Sequence, residues 1–233
     1  GHYELLLRMR GENGELVLPA EFIPAAERYN IMPMIDRWVV RQALCALAHY
    51  RDDGDIRHGY TLSINLSGTS LNDEHFLEFL INELQTHDLS PGAVCFEITE
   101  TAAISNLANV AHFMKEFRAR GCQFSLDDFG TGLSSFMYLK NLPVDYLKID
   151  GQFVQNITTD HVDRSMVEAI TQIGHAMGIK TIAERVESAE VLACLAQIGV
   201  EYAQGFYIAV PESAEALSRI TRTAPNLRLA HTA

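Results

Sequence analysis

Oxygen-bearing side chains recur where the apolar runs of this 233-residue chain end: Glu4 in Tyr-Glu-Leu-Leu-Leu-Arg, Asn65 in Ser-Ile-Asn-Leu-Ser, Glu97 in Cys-Phe-Glu-Ile-Thr-Glu, Asp127 and Asp128 in Ser-Leu-Asp-Asp-Phe-Gly, and Glu184 closing Thr-Ile-Ala-Glu. A single acid at such a place is ordinarily a loop residue, a helix cap or the partner of a surface lysine. Five acids converging on one rim are a different matter, because a buried carboxylate without a partner is strongly unfavourable and cations must neutralise the group. Carboxylate and amide oxygens without His or Cys suit Mg²⁺ or Mn²⁺ rather than zinc or copper. Adjacent Asp127 and Asp128 allow one carboxylate to bridge two ions roughly 3.5–4 Å apart, the pattern of a two-metal hydrolase.

Lys148, in Val-Asp-Tyr-Leu-Lys-Ile-Asp, belongs to a strand whose inward position would hold an ammonium near those acids. It has two possible roles. Desolvated, it forms a Schiff base with a carbonyl substrate; kept charged, it holds a water or a phosphate oxygen. Neighbouring carboxylates favour the charged form. The segment Asp128-Phe-Gly-Thr-Gly-Leu-Ser-Ser135 combines glycines Gly130 and Gly132 with hydroxyls that include Thr131, and reads either as a flexible turn or as a mobile, phosphate-facing loop. Its Asp-Phe-Gly triplet does not make a kinase, since no glycine-rich phosphate loop followed by a strand lysine precedes it and no His-Arg-Asp segment is present.

The elements that must position these groups alternate between β-branched apolar runs and helical patterns, the signature of repeated βα units around a parallel sheet. The strands are expected near Tyr3–Met9, Tyr60–Leu66, Ala93–Ile98, Gln123–Asp127, Val144–Ile149, Lys180–Glu184 and Val200–Gln204. Helical stripes run through Phe76, Leu77, Leu80, Ile81 and Leu84; through Leu107, Val110, Met114 and Phe117; and through Val162, Met166, Ile170, Ile173 and Met177. Gly121, Gly178 and Gly199 each close a helical pattern before a strand, and Ser188 can cap the helix that Gly199 ends. The expected fold is α/β, a TIM-like (β/α)8 barrel whose first strand lies upstream of residue 1, with an open doubly wound sheet as the alternative. In either case the chemistry belongs at the strand ends, where loops vary without breaking the core.

Length and a 48% hydrophobic content fit one domain over 1–233. No apolar run approaches the roughly 20 residues of a membrane span, so no membrane contact is expected from this piece. Cys45, Cys95, Cys122 and Cys194 stand far apart in apolar surroundings and are expected to be buried free thiols, which fits a reducing cytoplasm. A net charge of −12 argues against a nucleic-acid polymer as partner and requires cations for any anionic ligand.

Together these residues resemble the EAL family of cyclic di-GMP phosphodiesterases over essentially the whole chain. Glu4-Leu5-Leu6 stands for the Glu-Ala-Leu that names the family and runs on into Leu7-Arg8. Asn65 lies in Asn-Leu-Ser, Glu97 and Glu100 in Glu-Ile-Thr-Glu, and Asp127 to Gly132 in the central-loop motif; Lys148-Ile149-Asp150, Ala183-Glu184 and Gln204-Gly205 complete the series. The resemblance implies a barrel whose first strand is antiparallel, and hydrolysis of cyclic di-GMP to linear pGpG with two Mg²⁺ or Mn²⁺ ions, Ca²⁺ being inhibitory. It implies that Glu4, Asn65, Glu97 and Asp127 hold one metal, that Asp127, Asp128 and Glu184 serve the other, and that Lys148 holds the attacking water. Arg8 would contact a phosphate, Gln204 would order a water or the substrate, Glu187 would support the site from behind, and Glu100 would brace the central loop. The guanine bases need apolar surfaces, for which Phe129, Phe136 and Tyr207 are candidates that core packing would equally explain.

The chain departs from the family pattern at Leu5 for Ala, at Arg185 for the usual Gly, and at Leu133 for a common Tyr. None of these removes a metal ligand. Leu5 is expected to point away from the site by strand alternation. Two further readings stand beside the phosphodiesterase: a receptor that binds cyclic di-GMP without cutting it, and a lyase using Lys148. Related domains dimerise and follow GGDEF or sensory modules, so a homodimer and upstream domains are expected, with possible membrane anchoring of a longer chain.

Overall fold

The structure is a computed structural model and describes residues 2–52, 60–87, 89, 92–131 and 136–213. Seven strands form one sheet: β1 (His2–Glu4), β4 (Thr61–Asn65), β5 (Val94–Thr99), β6 (Gln123–Phe129), β7 (Tyr146–Ile149), β8 (Lys180–Ala183) and β9 (Tyr202–Ala203); a separate two-stranded ribbon pairs β2 (Met9–Arg10) with β3 (Leu16–Val17). The sheet order is sequential and all six pairings are parallel. A doubly wound sheet would reverse its order at a switch point, so that alternative falls.

The helices are α1 (Pro19–Arg28), α2 (Met32–Asp52), α3 (Glu74–His87), α4 (Glu100–Ser105), α5 (Leu107–Arg118), α6 (Gly151–Gln155), α7 (His161–Met177) and α8 (Ala189–Ile198). Alternation along the strands separates two cores. Leu62, Ile64, Phe96, Ile98, Phe124, Leu126, Leu147 and Ile149 join the large apolar cluster that includes Phe76, Leu80, Phe113 and Phe117 from the helices. The opposite face carries a small cluster of Cys95, Tyr146 and Ile182 with Tyr202 against it. Each of those four lies two residues before Glu97, Lys148, Glu184 and Gln204, so the inner cluster is the floor beneath the strand-end polar residues. The sheet curls far enough for its outermost strands to meet through side chains, since Gln204 just past β9 donates to Glu4 of β1 at 2.7 Å.

Helix ends follow their local chemistry. Asp160 caps α7 by accepting from the N–H groups of Val162 and Asp163, and Ser188 caps α8 from Val191. Gly178 and Gly199 close these helices at φ 70° and 95°, where a β-carbon would be strained. Among the described residues no helix is long and apolar enough to cross a membrane.

Three expectations are corrected. The run Tyr3–Met9 is not one strand: β1 stops at Glu4, and Met9 belongs to the ribbon, which turns at Gly11–Gly14 with Gly11 N–H donating to Glu15 O. Val162 is exposed because it lies in the first turn of α7, before the helix reaches the sheet; the buried stripe is Val167, Ile170, Thr171 and Gly174. Cys45 is exposed on α2, while Cys95, Cys122 and Cys194 are buried free thiols.

Candidate functional site

Lys148 on β7 is the hub of the strand-end residues. Its Nζ stands 2.7 Å from Glu97, 2.8 Å from Glu184, 3.1 Å from Asp127 and 3.3 Å from Glu4, and its side chain is 1% exposed. Four carboxylates, Glu4, Glu97 and Asp127 from β1, β5 and β6 and Glu184 directly after β8, therefore share one ammonium, which leaves the group net negative. Burial alone would push the lysine down, but Glu97, Asp127, Glu4 and Glu184 hold it well above its usual range, so it is charged. Schiff-base chemistry needs the neutral amine, and this setting opposes it.

The acids respond to their crowding. Burial, against the pull of Lys148, pushes Glu97 and Glu184 up to about 7. Burial with repulsion from Asp127 and Asp150 pushes Asp128 up to about 6. Glu4 goes the other way: burial would raise it, but Lys148 and hydrogen bonds from Gln204 and Asn65 hold it below the usual carboxylate range. Asn65 Nδ2 donates to Glu4 Oε1 at 2.8 Å, so one face of Glu4 is fixed by β4 and the other by the residue after β9.

Neighbouring residues in a regular strand face opposite ways, yet Asp127 and Asp128 serve one cluster. The register of β6 against β7 shifts between Leu126 and Phe129, and Asp128 adopts φ 53°. This left-handed kink at a β-bulge re-aims the side chain. Asp127, Asp128 and Glu184 each offer an oxygen within 4.8 Å of the others, and such a hard, all-oxygen donor set fits a divalent cation of the Mg²⁺ or Mn²⁺ type.

The same kink turns Phe129 into the apolar core, where it is fully buried and packs 5.7 Å from the ring of Phe136. Phe129 is thus no surface for a base, whereas Phe136 is partly exposed and Tyr207 is half exposed. Leu5 packs against the large core, away from the site. Arg8, in the segment after β1, spends one nitrogen on the Leu7 carbonyl at 2.8 Å. Glu187 is exposed and accepts from Gln155 at 3.4 Å.

Glu100, which opens α4, is buried and bridges two segments: it accepts from the Gly130 N–H at 3.0 Å and from the Tyr138 hydroxyl at 2.7 Å. Thr131 Oγ1 donates to the Asp128 carbonyl at 3.0 Å. Gly132 and Leu133 lie outside the described residues. Gly205 has a specific reason to be glycine: a β-carbon there would stand 2.2 Å from the nitrogen and 2.3 Å from the oxygen of Val186. This close approach is what carries Gln204 to Glu4.

Sequence reasoning missed Asp36. Its buried carboxylate accepts from Ser67 N–H at 2.9 Å and from the hydroxyls of Ser67 and Ser70 at 2.6 Å each, which anchors the turn just after Asn65. No spacing rule connects positions 36 and 67. The only available signal was an acid inside an otherwise helical apolar pattern. His2 was missed too; it lies one layer below Glu4, with Nε2 2.6 Å from Ser63 Oγ, and burial pushes it down to about 4, so it is neutral.

Comparison with known proteins finds relatives over most of the chain. The EAL domain family model matches residues 1–211. The cyclic di-GMP phosphodiesterase PdeB of Shewanella oneidensis is 43% identical over 209 residues, which are 90% of this chain and 24% of that protein. MucR of Pseudomonas aeruginosa, a bifunctional diguanylate cyclase/cyclic di-GMP phosphodiesterase, is 32% identical over 92% of this chain and 31% of its own. The chain therefore spans only about a quarter to a third of these relatives. Among solved structures, the PaMucR phosphodiesterase in its c-di-GMP complex has a TM-score of 0.85 at 32% identity, covering 92% of this chain and 86% of that one. The FimX EAL domain from Pseudomonas aeruginosa bound to c-di-GMP has a TM-score of 0.83 at 34% identity, covering 91% and 84%.

Proposed function

The chain belongs to the EAL domain family, and from that premise we propose that it hydrolyses cyclic di-GMP to linear pGpG with the help of two Mg²⁺ or Mn²⁺ ions. The observation that carries the reading is the ring of four acids, from three strands and the residue directly after a fourth, around buried Lys148. Glu4, Asn65, Glu97 and Asp127 would hold one ion; Asp127, Asp128 and Glu184 would serve the other. When bound, the ions supply polarisation of the scissile phosphoryl group and offset the repulsion between an acidic rim and a dianionic substrate.

The chain's own residues have separable tasks. Lys148, kept protonated by its neighbours, would donate from Nζ to the oxygen of the attacking water and to the phosphoryl oxygens on which negative charge develops. Asn65 and Gln204 orient Glu4 from both sides. Glu100 holds the backbone that follows Asp127 and Asp128, so the two aspartates keep their kinked arrangement. Arg8 and Tyr207 are left for the phosphate and a guanine base. The two activities of MucR support a cyclase domain in a longer chain, placed upstream in this reading, and a homodimer and a cytoplasmic location complete the proposal.

The test is chromatographic analysis of cyclic di-GMP incubated with the purified domain and Mg²⁺ or Mn²⁺, beside an EDTA control. Linear pGpG formed only with metal is the expected result. Binding of the dinucleotide without product would make the domain a receptor and overturn the hydrolase reading.

A further inference from the structure

We propose that Arg185 binds a phosphate of the dinucleotide at the rim of the site, and that Gly151 is glycine in order to let it do so. The inference rests on the phosphodiesterase reading above and adds a substrate contact to it. Arg185 directly follows Glu184 and adopts φ 50°, a conformation that glycine takes freely and that a residue with a β-carbon adopts only at a cost. Glycine would be the unstrained choice there. An arginine held in that backbone has to be useful through its side chain.

The side chain has a defined path. A β-carbon on Gly151 would lie 2.3 Å from Cδ, 2.6 Å from Cγ and 2.8 Å from Cβ of Arg185, so the aliphatic stem of the arginine occupies the place a residue at 151 would need. Gly151 begins α6 in a backbone that is not left-handed, and nothing in its conformation calls for glycine. Room for Arg185 is the reason. The stem thus crosses the start of α6 beside Asp150, whose charge adds to burial and Asp127 in pushing up Asp128 of the cation-ligating cluster. Among the described residues no hydrogen bond or ion pair engages the guanidinium. An exposed, unpartnered guanidinium beside an acidic, cation-binding rim suits an anion that arrives with the cations, and its planar fork matches two oxygens of a phosphodiester.

The geometry also supplies its own control. Since the two positions compete for one space, an arginine grown from 151 with glycine at 185 should deliver the guanidinium to nearly the same place without the left-handed strain. Three variants are compared with the wild type, Arg185→Gly, Arg185→Lys and the swap Gly151→Arg/Arg185→Gly, each read by kcat, KM, calorimetric binding of cyclic di-GMP with Mg²⁺, and Tm. Arg185→Gly should raise Tm while raising KM about tenfold, the loss of one charge-assisted contact, with kcat nearly unchanged. Arg185→Lys should fall between, and the swap should recover most of the KM. A KM and affinity for Arg185→Gly within twofold of wild type would overturn the proposal, and a folded swap variant no better than Arg185→Gly would overturn the reciprocal fit. If the wild type binds without cleaving, the hydrolase reading fails while the binding data still decide the role of Arg185; a wild type that neither binds nor cleaves overturns both.

Discussion

Lys148 Nζ and Glu97 Oε2 stand 2.7 Å apart, and both side chains are 1% exposed. Buried ion pairs are only as good as their completeness, because removing one partner leaves the other charged and unsolvated. Lys148→Met should therefore abolish turnover and, in EDTA, destabilise the fold by about 3–5 kcal/mol. Added Mg²⁺ should restore part of that loss by taking over the acids. Denaturant unfolding with and without metal measures it; an EDTA stability equal to wild type would contradict the hub role.

Glu97 and Glu184 are raised to about 7 from an ordinary 4.5. In the metal-free protein they keep protons that the unfolded chain has released, so their contribution to stability is greatest at acid pH and is lost as pH rises through about 7. Glu4, held low, works oppositely but only near and below its ordinary value. The expected result is a Tm in EDTA that falls between pH 5.5 and 8, and a Mg²⁺-induced rise in Tm that is larger at pH 8. A Tm in EDTA that rises with pH over this window would count against it.

Glu100 links the Gly130 N–H to the Tyr138 hydroxyl. Glu100→Ala frees the backbone that carries the two aspartates, and a displacement of about 1 Å at reacting groups is enough for a hundredfold loss of rate. Turnover should fall by about that factor while calorimetric binding of the dinucleotide persists. Tyr138→Phe, which removes one donor, should cost about 1 kcal/mol of stability and less rate. Equal effects of the two variants on rate would rule out the Gly130 hydrogen bond as the important one.

Gly205→Ala places a methyl group against the Val186 backbone, which cannot rotate away. Overpacking of this kind destabilises by about 1–3 kcal/mol. It should also lower metal affinity by pulling Gln204 off Glu4. Thermal unfolding and a Mg²⁺ titration of activity test the two parts separately.

The strands and their polar ends were legible because alternation and chain order are local properties. The residues of the Asp127, Asp128 and Glu184 group could be picked from the linear chain for the same reason. What was not legible depends on contacts between distant positions or on single dihedral angles. Phe129 looks available beside two aspartates until the bulge at Asp128 rotates it inward. Asp36 and Ser67, or Gly151 and Arg185, are ordinary letters until the fold brings them together. The β2–β3 ribbon has two residues in each strand, too few for alternation to register, and so its first strand was absorbed into β1.

The polar groups of the site come from the ends of successive strands, with Asp127 and Asp128 sharing β6, and Glu97, Lys148, Glu184 and Gln204 each follow a floor residue by two positions, while the helices are gripped by the opposite face. Shape and chemistry are thus written on alternate letters of the same segments. Exchanging one ligand for a similar-sized neutral residue silences a reaction without disturbing the surface that anchors the helices. A scaffold of this kind can shed its catalysis one substitution at a time and still present an intact cup to a small molecule, so descendants that listen to a nucleotide rather than destroy it lie only a few mutations away.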